Sequence, residues 1–195
     1  MKVGMLLLTG GRGSRMGAPK HNLAHPSGAS WGRHLIDVFR EVFPEGPVQV
    51  LGEPLQDLPE LPLVEDPREG PAAALRAWAL APSPAADLWW VVGCDQVRWR
   101  ADALRAWINQ AEALDPAHER WILARSEGML QPLGGWLPAA LRPNLAQARG
   151  ASLRDLVNAL PHLILDSGLE GWRDVDTPEE HTAFQDEVKA WRPSD

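Results

Sequence analysis

The 195-residue chain has one cysteine, Cys94, and no tyrosine. A single cysteine excludes an internal disulfide and agrees with a reducing compartment. No apolar run approaches the roughly 20 residues needed to span a bilayer, so no membrane partner is expected. The short apolar run Val3–Leu8 is not long enough for a signal-peptide core and has no small-residue cleavage site behind it, so a cytoplasmic location is expected. Acidic residues are missing from positions 1–36, which carry Lys2, Arg12, Arg15, Lys20 and Arg33, although the whole chain has a formal net charge of −7. The overall acidity argues against a nucleic-acid partner. A basic start in an acidic protein suits either a segment that holds a small anion or a chance placement of surface charges, and charge alone favours the second.

What is present reads as one globular domain over residues 1–195, with ordinary hydrophobic and charged fractions of 45% and 23%. Ten tryptophans point to no particular function. Val3–Leu8 is a continuous apolar run that suits a strand buried on both faces. Ser30 is placed as an N-cap, with Trp31, Leu35, Val38, Phe39 and Val42 at helical spacing behind it. Strands are predicted at 47–51, 63–65, 88–92, 121–124 and 163–165. Helices are predicted from Pro71, over about 101–114, from Ser152 and over 178–190. Strand and helix alternate through the first two-thirds, which argues for an α/β fold with a mostly parallel sheet.

In such a sheet ligands bind beyond the carboxyl ends of the strands. The segments in those positions are 8–20, Gly52-Glu53, 66–70 and Gly93-Cys94-Asp95, all rich in glycine or charge. The first is the strongest signal. Gly10, Gly11 and Gly13 allow successive backbone N–H groups to face phosphate oxygens, and Arg12, Arg15 and Lys20 add positive charge. The P-loop pattern is absent. The dinucleotide fingerprint fails because the glycine after Gly11-x-Gly13 comes one residue late, at Gly17, which excludes an NAD-binding reading.

Leu8-Thr9-Gly10-Gly11, Arg15-Met16-Gly17 and Lys20 together resemble the signature loop of the molybdenum cofactor guanylyltransferases and their nucleotidyltransferase relatives. The resemblance continues in order through Val64-Glu65-Asp66, Glu69-Gly70-Pro71, Val92-Gly93-Cys94-Asp95, Gln131-Pro132-Leu133, Arg149–Arg154 and Asp174–Glu180. It implies a three-layer α/β/α fold, Rossmann-like, with a mostly parallel mixed sheet of the nucleotide-diphospho-sugar transferase type. It implies magnesium-dependent transfer of GMP from GTP to molybdopterin, and partners such as molybdoenzymes or cofactor-delivery proteins. Nucleotide contacts carry over to Leu8, Thr9, Gly10, Gly11, Lys20, Asp66, Gly70 and Asp95. Three departures stand out: Gln96-Val97 where Thr-Pro is usual, three alanines after Pro71, and aspartates at 174 and 176 where asparagines are usual.

In-line attack on an α-phosphorus builds negative charge on nonbridging and leaving oxygens, so catalysis is mainly positioning and electrostatic stabilisation. Arg15 and Lys20 are the expected fixed cations, and Asp95 the expected Mg²⁺ ligand. Residues two apart in an extended segment share a face, so Asp176 is expected to join Asp95 on the metal, with Asp174 in support. The competing role for Asp176 is the cap of the final helix. Cys94 reads as a core residue. His21 and His25 lack a third ligand for zinc, and Glu179 and Glu180 read as first-turn acids. A cytidylyltransferase, a sugar-phosphate nucleotidyltransferase and a non-catalytic nucleotide-binding homologue remain as alternatives.

Overall fold

Val3–Leu8 forms strand β1 and buries all six residues, as an unbroken apolar run requires. The structure, a computed structural model, describes residues 1–10 and 18–191. The other strands are β2 (Val48–Leu51), β3 (Leu63–Val64), β4 (Leu88–Gly93), β5 (Trp121–Ser126), β6 (Met129–Pro138) and β7 (His162–Asp166). They make one sheet in the order β3-β2-β1-β4-β6-β5-β7. All pairings are parallel except those of β6, which runs antiparallel to both β4 and β5. The carboxyl ends of β1 to β4 therefore share one edge.

The helices are α1 (Trp31–Val42), α2 (Pro71–Leu80), α3 (Ala101–Leu114), α4 (Arg142–Gln147), α5 (Leu153–Ala159) and α6 (Pro178–Trp191). Alternate strand residues point to opposite faces, and each face has its own core. Met5, Leu7, Trp90 and Val92 pack with Leu35 and Phe39 of α1 and Leu104 and Trp107 of α3. Leu6, Leu8, Trp89 and Val91 pack with Leu75 and Trp78 of α2, Leu145 of α4 and Leu156 of α5. The result is the three-layer α/β/α arrangement. A smaller cluster of Trp31, Val97, Val175, Phe184 and Val188 seats α6 beside the turn that follows β4.

The tryptophan bias has a packing explanation. Nine indoles, from Trp31 to Trp172, are almost wholly buried; eight fill the two cores and Trp31 the smaller cluster, each supplying a large apolar area. Trp90 and Trp107 both donate from Nε1 to the carbonyl of Gly134 at 3.0 Å, where the β5–β6 register is irregular. Gly134 has φ +83°, and a Cβ there would strike Trp172, so glycine is required.

Caps follow the predicted chemistry. Ser30 Oγ accepts from the Arg33 N–H at 3.1 Å. Ser152 and Asp155 form a reciprocal capping box on α5. Pro71 opens α2 at its first position. Two elements differ from the prediction: β6 is a ten-residue strand and α4 is a helix, where the sequence showed neither. Among the described residues no helix is long and apolar enough to cross a membrane.

Candidate active site

Three strand ends converge at one side of the shared edge. Thr9 is buried, and its hydroxyl donates to the Glu53 carbonyl and accepts from the Glu53 N–H, both at 2.7 Å. That hydroxyl is committed to locking β1 to β2, so what Thr9 offers a ligand is backbone placement. Gly52, with φ +125°, packs against the Gly10 N–H. The Asp66 carboxylate lies against Gly10 where any Cβ would have to sit. Its other oxygen accepts from the Arg68 N–H at 2.8 Å, which fixes the turn after β3. Gly70, with φ +93°, leads into α2 with open space on its Cβ side.

The charged centre is at the end of β4. Lys20 starts a short 3-10 turn, Lys20–Asn22, directly behind Pro19. Its Nζ lies 3.2 Å from Asp95 Oδ2 and also donates to Asp176 Oδ1. One ammonium thus joins two carboxylates brought from residues 75 and 156 positions away. Burial works against the Lys20 charge, but the hydrogen bond to Asp176 and the charges of Asp95 and Asp176 outweigh it and raise its pKa. Asp174 stands beside them. Its carboxyl is pushed up to about 7, by desolvation in the crowded cleft and then by the negative charges of Asp95 and Asp176. Asp174 is itself exposed to solvent, which also screens the charges of its neighbours.

Asp176 is not the cap of α6. Thr177 Oγ1 accepts from the Glu180 N–H at 3.2 Å, and Glu180 Oε2 accepts from the N–H groups of Thr177 and Asp176 at 3.0 and 2.7 Å. That reciprocal pair is a capping box, and it leaves the Asp176 side chain free to face Lys20. Glu180 therefore has a local structural role.

Of the predicted site residues, Leu8, Thr9, Gly10, Asp66, Gly70, Lys20, Asp95 and Asp176 all stand along this edge. Gly11 and Arg15 lie outside the described residues. Sequence reasoning missed Arg98, which is buried and donates to the carbonyls of Arg173 and Asp174. Gln96 stood out only as a departure from the family pattern; its amide accepts from the Gly93 N–H at 3.4 Å and donates to the Leu133 carbonyl at 3.3 Å. Only a sequence pattern that shows charge inside an apolar turn, Val97-Arg98-Trp99, hints at the first. Cys94 is buried with its thiol pKa pushed up by desolvation, which fits a core residue.

Among the described residues no group of three or more His, Cys, Asp or Glu side chains is arranged to hold a metal ion. The pair Asp95 and Asp176 is a different case. Two hard oxygen donors already share one cation, the Lys20 ammonium, and Mg²⁺ takes only one or two carboxylates from a protein. The donor set fits a divalent cation. A separate open cleft of about 670 Å³ lies at the opposite end of β4, lined by Ala81, Pro84, Trp89, Ala139 and Arg142. It holds no carboxylate, and Arg142 there is engaged with the carbonyls that end α2.

A sheet of this order, with one antiparallel strand among parallel ones and helices on both faces, has the α/β/α fold of the nucleotide-diphospho-sugar transferase type. A family model described as MobA-like NTP transferase domain matches residues 5–163, and the chain belongs to that family. No curated protein matches it by sequence. Among solved structures it is similar to Rv0371c from Mycobacterium tuberculosis H37Rv, at 24% identity and TM-score 0.66, over 95% of this chain and 98% of that one. A manganese complex of that protein matches at 21% identity and TM-score 0.64, over 96% of this chain and 100% of that one. Molybdopterin-guanine dinucleotide biosynthesis protein A from Archaeoglobus fulgidus matches at 15% identity and TM-score 0.71, over 97% and 100%. The synthetase for CMP-2-keto-3-deoxy-manno-octonic acid, complexed with CTP, matches at 13% identity and TM-score 0.70, over 98% and 100%. At these identities the likeness is one of fold.

Proposed function

We propose that the 195-residue chain, acting as one domain, transfers GMP from GTP to molybdopterin and releases pyrophosphate. The observation that carries this reading is the Lys20 ammonium held between Asp95 and Asp176, at the strand ends directly beyond the glycine-rich loop. An acceptor phosphate oxygen forms a bond to the α-phosphorus of GTP. The bond from that phosphorus to the bridging oxygen of the β-phosphate breaks in line, and the pair of electrons leaves with pyrophosphate. The acceptor phosphate is ionised near neutral pH, so no general base is needed.

Lys20 supplies positive charge where the transferring group gains negative charge, and Gly10 lets the backbone approach the phosphates closely. Asp66, which lies against Gly10, is a nucleotide contact on the same edge. Asp95 and Asp176 would hold Mg²⁺, which when bound neutralises triphosphate charge. The manganese complex of the mycobacterial relative supports a divalent cation in this fold. Gly10-Gly11 and Glu69-Gly70-Pro71 favour guanine. The similarity to a CTP-bound synthetase keeps cytidylyl transfer as the second reading.

Incubation with Mg²⁺, molybdopterin and each nucleoside triphosphate in turn tests the proposal. GTP should be used far better than CTP or ATP, because a site built to hydrogen-bond one base leaves polar groups unpaired with another. Equal or better use of CTP would move the chain to the cytidylyl branch. Turnover only with a sugar phosphate as acceptor would replace molybdopterin.

A further inference from the structure

Residues 173–176 reach the site from the far end of the sequence and belong to no strand, yet their backbone is held firmly against the turn after β4. The Val175 N–H donates to the Asp95 carbonyl at 3.1 Å. Arg98, only 6% exposed, sends Nη1 to the carbonyls of Arg173 at 3.2 Å and Asp174 at 3.4 Å. Its Nε pairs with Glu187 Oε2 on α6 at 3.1 Å, and its guanidinium carbon lies 5.2 Å from the centre of the Phe184 ring. Val97 and Val175 close the contact from below, both fully buried with Phe184 and Val188. A planar guanidinium can address two carbonyls and a carboxylate in one fixed geometry, which a lysine ammonium cannot reproduce. A buried cation is costly unless its partners are in place, so this arrangement resists displacement of the segment.

We infer that Arg98 is a positioning residue that fixes the 173–176 backbone so that Asp176 meets Lys20 opposite Asp95. Its effect on the reaction runs through that segment, and to that extent the inference rests on the nucleotidyl-transfer reading above. Arg98 touches neither Lys20 nor the carboxylates of Asp95 and Asp176 themselves. It holds the carbonyls on either side of the Asp174 α-carbon, and Asp174 and Asp176 lie on one face of that stretch.

Two measurements on the full chain test this. In Arg98→Lys the amide of Val175 should exchange with solvent on the order of tenfold faster, while Leu6 and Val91 in the sheet keep their protection. Glu187→Gln leaves the guanidinium in place and removes its counter-charge, so it should move Val175 in the same direction by less, and it serves if Arg98→Lys does not fold. The second measurement is the Mg²⁺ concentration for half-maximal transfer, which Arg98→Lys should raise by roughly three- to tenfold. Combining it with Asp176→Asn should add nothing to the effect of Asp176→Asn alone, since the two act on one contact. Unchanged Val175 exchange in folded variants overturns the inference, and so does an additive double variant, which would make Arg98 a general stabiliser. If the wild-type protein transfers no nucleotidyl group, the reaction reading fails, and the exchange rates alone decide whether Arg98 holds the segment.

Discussion

Lys20 Nζ lies 3.2 Å from Asp95 Oδ2, joining the end of the glycine-rich loop to the end of β4. The same ammonium holds Asp176, so it is the cation on which two carboxylates of the site converge. Replacing it should remove a charge that matters more in the transition state than in the ground state. Lys20→Ala is expected to lower kcat on the order of 100-fold or more. The cost in stability should be small, about 1 kcal/mol or less, because Asp95 and Asp176 keep access to water that screens the pairs. Steady-state kinetics and a thermal melt check both halves. Unchanged turnover would mean that the triphosphate sits elsewhere.

The Asp174 carboxyl, raised to about 7 in the folded protein against an ordinary value of 3.8, sets a pH dependence with a definite sign. Between those values the folded state binds more protons than the unfolded one. Stability from this group is complete below about pH 3.8 and is lost as pH rises towards 7. Asp174→Asn removes the titration. Its melting temperature should therefore gain on the wild type as pH climbs from 4 to 8, with the difference smallest at the acid end. A constant difference across that range would show that Asp174 titrates as an ordinary surface aspartate.

His25 works in the opposite direction. Its ring stacks on His34 with centroids 3.7 Å apart, and burial, followed by the nearby His34 and His181, lowers its pKa to about 3. The unfolded chain takes up a proton near pH 6.5 that the folded chain refuses. Stability present above about 6.5 is lost as pH falls towards 3, at a slope of at most about 1.4 kcal/mol per pH unit for one proton. Denaturant melts of His25→Gln between pH 4 and 7 should show a flatter dependence than the wild type, whatever its stability at pH 7. An equally steep curve would place the acid sensitivity in another group.

Both pH effects arise first from burial and then from neighbouring charges, and burial by the folded chain marks the limit of what the sequence could reveal. The buried runs at β1 and β4, the Ser30 and Ser152 caps and the Gly-Pro opening of α2 were legible because each signal is local. Strand β6 was not, because Pro132, Gly134 and Gly135 interrupt its pattern. Gly134 sits where Trp90 of β4 and Trp107 of α3 share its carbonyl, and that need comes from other elements. The loop and the strand-end aspartates marked the site by position. Arg98 did not stand out, because a buried arginine is recognisable only once its carbonyl partners from residues 173 and 174 are in place.

Asp176 and Thr177 are adjacent, and the structure gives them separate work, which makes their substitutions opposite controls. Thr177 accepts the Glu180 N–H and so caps α6, whereas the Asp176 carboxylate turns to Lys20. Thr177→Ala should cost about 1 kcal/mol of stability, the usual loss for a missing cap, with Mg²⁺ dependence nearly unchanged. Asp176→Asn keeps the size of the side chain and removes its charge. If Asp95 and Asp176 share the cation, Asp176→Asn should lower the transfer rate and raise the Mg²⁺ concentration for half-maximal rate, while the melting temperature stays close to the wild type. Its effect should also depend on Lys20. With the ammonium gone in Lys20→Ala, the two carboxylates repel each other, and Asp176→Asn should then recover part of the lost stability. Magnesium titrations of rate and thermal melts on the two single variants, and melts on the Lys20→Ala/Asp176→Asn pair, read all of this. Wild-type magnesium dependence in Asp176→Asn would leave the cation to Asp95 alone and reduce Asp176 to a partner that parks Lys20.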